Sequence, residues 1–145
     1  MIRYSTLILV FALTITESIF AQQESPRPII PDTLKWFGPP SIPNLSAAWV
    51  TGNEKDTGIY ILQVKLKANG IIPPHSHPDT RYTTVLSGTL YVGFGNTMED
   101  STMVEIPTGA VYCAPANVPH YLKSKTGDVT YQEVGVGPTG TAFIK

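Results

Sequence analysis

The chain has 145 residues, of which 42% are hydrophobic, and its formal net charge is −1 at pH 7. That is enough apolar material for a core, and the balanced charge gives no reason to expect nucleic acid or an acidic membrane surface as partner. Cys113 is the single cysteine, which excludes an internal disulfide; a small buried hydrophobe is its expected role.

In chain order, Arg3 precedes an apolar stretch, Leu7 to Ile15, broken only by Thr14, and Ser18-Ile19-Phe20-Ala21 follows it. This order predicts a signal peptide over residues 1–21 and a periplasmic or secreted protein. The apolar stretch is shorter than the about 20 residues that cross a bilayer, so no membrane association is expected after its removal. A buried N-terminal strand or helix is the alternative. Residues 22–44 hold six prolines without a steady period and read as an extended arm, with Trp36 and Phe37 docking it.

Residues 45–145 read as one all-β domain. Ile59–Lys67 alternates, with Tyr60, Leu62, Val64 and Leu66 on one face. Tyr82–Leu86 and Thr89–Phe94 read as a hairpin about a tight Ser87-Gly88 turn. Met103–Ile106, Ala110–Ala114, His120–Lys123 and Val129–Val136 complete the set. Short, evenly spaced strands without an amphipathic helix predict a sandwich or barrel.

All three histidines of the chain stand at informative positions. His75 and His77 are one residue apart and point to the same face of an extended segment. There two imidazoles can chelate one ion. His120 opens a later strand after Pro115 and Pro119, and a closed barrel would bring it to the same ion. In Val129–Val136, Gln132 shares a face with Val134 and Val136 and is the expected inward group, leaving Glu133 solvated. Tyr112 and Tyr121 can line a pocket or pack in the core, and Trp49 is expected to pack.

The segment Gly70-Ile-Ile-Pro-Pro-His75-Ser-His77-Pro-Asp-Thr-Arg81, followed by Gly88, resembles the first cupin motif. Gly109, Pro115 and His120 match the second. The resemblance implies a small cupin-type β-barrel (a double-stranded β-helix, or jelly roll) with a metal at its centre, and often homodimers. It departs in four places. Arg81 stands where the motif has a metal-binding glutamate, Asn117 replaces a glycine and Ser124 an asparagine, and the Gly70 to His75 interval is one residue short. Guanidinium has no free lone pair and cannot be a ligand. Three neutral imidazoles would leave one divalent ion, iron, manganese or zinc, with open positions. Arg81, if inward, can clamp an anionic group or pair with Asp79. The expectation is a metal-binding cupin, a small dioxygenase- or isomerase-like enzyme acting on a small anionic molecule. A non-enzymatic small-molecule-binding cupin is the alternative. His75, His77 and His120 are the expected metal ligands, and Arg81, Gln132 and Tyr112 the expected ligand-binding groups.

Overall fold

The computed structural model describes residues 27–145; the signal-peptide expectation and the first residues of the arm lie outside them. Among the described residues ten strands form two antiparallel sheets: β1 (Leu45–Thr51), β2 (Gly58–Leu66), β3 (Ile71–Ser76), β4 (Arg81–Ser87), β5 (Thr89–Phe94), β6 (Val104–Pro107), β7 (Val111–Ala114), β8 (His120–Lys123), β9 (Val129–Gly137) and β10 (Ala142–Phe143). One sheet has the order β1-β2-β9-β4-β7 and the other β10-β3-β8-β5-β6. The architecture is the all-β jelly roll expected, but among the described residues no ladder closes the two sheets into a continuous barrel.

Alternation places the core between the sheets. Tyr60, Leu62, Val64 and Leu66 of β2 all turn inward, as their spacing predicts, and meet Val85, Val129 and Tyr131 of the same sheet. Ile72, Leu90, Val92 and Leu122 close the core from the second sheet. Each such side chain contributes about 1.5–3 kcal/mol by leaving water.

Two sequence expectations fail here. Tyr82–Leu86 and Thr89–Phe94 are not hairpin partners, because β4 pairs with β7 and β9 while β5 pairs with β6 and β8. Gly88 sits between them at φ +78° and passes the chain from one sheet to the other. A Cβ there would also run into the Asp128 carbonyl, so a glycine that reads as a hairpin turn is a corner. Cys113 is exposed, on the outer face of β7, and not buried as expected.

Trp36 and Phe37 meet β2 and β1. Phe37 exchanges backbone hydrogen bonds with Ala47 of β1, at 2.8 and 2.7 Å, and the Lys65 ammonium lies 3.9 Å from the Trp36 ring centroid. This brings Phe37, Pro39 and Ile42 to the rim of an internal cavity.

Candidate metal centre

Two consecutive prolines shape the histidine end of β3. Pro73 and Pro74 have no N–H to give to β8, and the register shifts between Ile72 and His75. The Pro73 carbonyl accepts from His75 Nδ1 at 2.8 Å. Across the same ladder His120 is the Cα partner of His75. A β3–β8 strand pair therefore unites two of the histidines, without the closed barrel that sequence reasoning invoked. His77 lies just beyond β3, and Asn117 N–H holds its carbonyl at 2.7 Å. Asn117 adopts φ +61°, the left-handed conformation that the usual glycine supplies and asparagine tolerates. Ser124, in place of the motif asparagine, is buried; it accepts from Gly70 N–H at 3.1 Å and donates to the Lys67 carbonyl. Those two departures preserve the turns.

The three imidazoles converge. Ring centroids are 4.3 Å apart for His75 and His120, 4.9 Å for His75 and His77, and 5.2 Å for His77 and His120. One potential ligand atom from each lies within 4.8 Å of the others. Each ring meets a backbone carbonyl through Nδ1: His75 that of Pro73, His77 that of Gly140 at 2.7 Å, and His120 that of Val118 at 3.2 Å. A carbonyl can only accept, so the proton belongs on Nδ1 and the lone pair on Nε2. Nε2 of His77 and of His120 are buried without a hydrogen-bond partner among the described residues. Burial, reinforced by His120, pushes His75 down to about 3; burial and then Arg81 push His77 to about 3. Burial also lowers His120. Neutral rings of one tautomer, with orphaned lone pairs converging, fit a divalent ion.

Arg81 opens β4 and does point inward, only 4% exposed. Its Nη1 donates to Glu133 at 2.7 Å and its Nη2 to Thr139 Oγ1 at 2.8 Å, while Nε lies 3.7 Å from Asp79. Burial opposes the charge, but Glu133, Tyr60 and Asp79 outweigh it and hold the guanidinium charged. Asp79 sits in the turn before β4; it accepts from Tyr60 at 2.5 Å and from Thr139.

The expected facing of β9 is reversed. Glu133 is inward and 4% exposed, whereas Gln132 lies on the other face, bonded to Gln63 at 3.2 Å. Val136, used to choose the face, is 59% exposed. The overlooked signal is Tyr131 and Gly135: a ring needs the core, and a side chain at 135 would occupy the space of Tyr60 and Asp79. Tyr112 packs against the core and does not line the cavity. Its hydroxyl is buried, and burial followed by Glu133 raises its pKa.

Beside the histidines lies a cavity of about 320 Å³. His75, His77, Arg81 and Glu133 form its polar end; Phe37, Trp49, Leu62, Val64 and Tyr131 supply apolar wall. The C-terminal segment crosses its edge, with β10 pairing Phe143 to His75 and Ala142 to Ser76. Neither the role of Gly140 nor that of Glu133 follows from a motif.

Two facing antiparallel sheets with converging histidines define a cupin-type double-stranded β-helix. The family model for the cupin domain matches residues 62–132, and the chain belongs to the cupin superfamily. Germin-like protein 8-2 of rice, Oryza sativa subsp. japonica, is 37% identical over 67 residues, which is 44% of this chain and 30% of that protein. Germin-like protein subfamily 2 member 1 of Arabidopsis thaliana is 34% identical over 73 residues, or 50% of this chain and 33% of that one. The chain thus spans about a third of the length of the curated relatives it matches. Among solved structures, the polyketide cyclase RemF from Streptomyces resistomycificus superposes with a TM-score of 0.70 at 13% identity, covering 83% of this chain and 87% of that one. The salicylate 1,2-dioxygenase from Pseudaminobacter salicylatoxidans gives 0.57 at 15%, covering 70% and 31%. At these identities the likeness is one of fold.

Among the described residues no helix is long and apolar enough to cross a membrane.

Proposed function

We propose that this protein is a metal-binding cupin in which His75, His77 and His120 hold one divalent ion at the end of a small-molecule cavity. The observation that carries this reading is the convergence of three buried imidazoles with their Nδ1 atoms engaged by carbonyls and with Nε2 of His77 and of His120 buried without a partner. Iron, manganese or zinc bound there would supply a Lewis acid with open positions, the basis of dioxygenase- or isomerase-like chemistry. The chain's own part is to present neutral rings, to exclude water with the apolar wall, and to keep Arg81 and Glu133 paired beside the reacting region. Cyclase and dioxygenase names among the fold neighbours support an enzyme of this class, although one fold hosts many reactions.

A second reading is a binding protein without catalysis. It is favoured by Arg81, which places a guanidinium and not a ligand carboxylate at the motif's fourth position.

The test is metal analysis of the purified protein, without a histidine tag, beside the His75→Ala/His120→Ala variant. Near-stoichiometric metal, absent from the variant, is expected. Equal metal in both, or none in either after reconstitution, would refute the site.

A further inference from the structure

The cavity has charges of both signs, and their arrangement restricts what can enter it. Arg81 is the group that an anionic ligand would seek, but its guanidinium is already engaged by Glu133 at 2.7 Å and Thr139 at 2.8 Å, with Asp79 3.7 Å from Nε. The Arg81 and Glu133 side chains are 5% and 6% exposed, so little solvent screens the pair. Asp79 cannot turn away, because Tyr60 and Thr139 hold both its oxygens. A third carboxylate, Glu54, lines the cavity from its exposed rim. Two carboxylates therefore flank the one cation and a third stands at the rim, while the remaining wall is mainly apolar. An anionic group carried away from the histidine end would lose its hydration and face like charge, and the one guanidinium donor without a hydrogen bond, Arg81 Nε, is turned to Asp79 at 3.7 Å.

We propose that the cavity takes a mainly apolar small molecule carrying a single oxygen function for the histidine end and no second negative charge, with Glu133, Asp79 and Glu54 as the residues that set this selection. The inference rests on the small-molecule reading of this cavity and names its ligand class. It replaces the expectation of an Arg81 anion clamp.

Two probes share a ring and a head and differ by one distal charge: 2-naphthoate and naphthalene-2,6-dicarboxylate. Calorimetric titration of the protein as purified is expected to show 2-naphthoate binding at least about tenfold more tightly. In Glu133→Gln, which frees part of the guanidinium, the dicarboxylate gains and the gap narrows. Glu54→Lys changes an exposed side chain at the rim and leaves the backbone carbonyl that holds Thr139 N–H in place, and it too is expected to favour the dicarboxylate, by about threefold at low salt. Equal or tighter dicarboxylate binding in the unmodified protein, no binding of either probe, or a gap that neither variant changes overturns the proposal. Metal analysis of the same sample separates the two readings. Selectivity without metal overturns the metal site alone, and metal without selectivity overturns the ligand class alone.

Discussion

Replacing Arg81 with alanine is expected to lower stability by about 3–5 kcal/mol, the loss found when one partner of a buried ion pair is removed. The variant keeps Glu133 and Asp79 in the interior with no cation between them. It also removes the donor that bridges through Thr139 to the C-terminal segment, and Gly140 of that segment positions His77. For a chain of this length the melting temperature would fall by roughly 10 °C. Removing both charges together, in Arg81→Met/Glu133→Met, is expected to cost less than Arg81→Ala alone, since no charge of the pair is then left unmatched. Thermal unfolding of the three proteins decides it. A loss below about 1 kcal/mol for Arg81→Ala, the value of an exposed pair, would show that solvent reaches the pair.

The larger acid effect belongs to the histidines. In chelator, His75 and His77 titrate at about 3 in the folded chain, because burial disfavours their cations, against about 6.5 unfolded. Their folded values are depressed, so between about pH 6.5 and 3 the unfolded chain binds more protons and stability falls as pH falls. The contribution is fully present above pH 6.5. Each ring then removes about 1.4 kcal/mol per pH unit, or about 4 kcal/mol for the two together at pH 5. Bound metal competes with the same protons, so metal saturation at fixed pH should raise the melting temperature and chelation lower it. Denaturant curves from pH 8 to pH 5 in chelator measure the slope. A stability unchanged across that range would mean that the rings are hydrated and can charge in place.

Much of this site was legible in the sequence, for reasons that differ by residue. His75 and His77 were readable because a strand's period of two puts both on one side, and His120 because its motif fixes its distance from Gly109 and Pro115. The alternation of Tyr60, Leu62, Val64 and Leu66 was readable because large apolar side chains on one face have only one place to go. Gln132 and Glu133 were not. Valines stand on both faces of β9, so Val134 and Val136 drew the reading to the wrong one against Tyr131 and Gly135, and Glu133 reads as solvated until Arg81 is seen to reach it from β4. The pairing of β4 and β5 was misread because a tight turn looks alike whether it joins neighbours in one sheet or passes between two. The Gly140 carbonyl on His77 carries no side-chain signature at all.

X-ray absorption of the zinc-loaded protein is expected to show three imidazole nitrogens around the ion at about 2.0–2.1 Å, falling to two in His120→Ala. A shell of oxygen or sulfur without imidazole, or one unchanged in the variant, would contradict the three-histidine site.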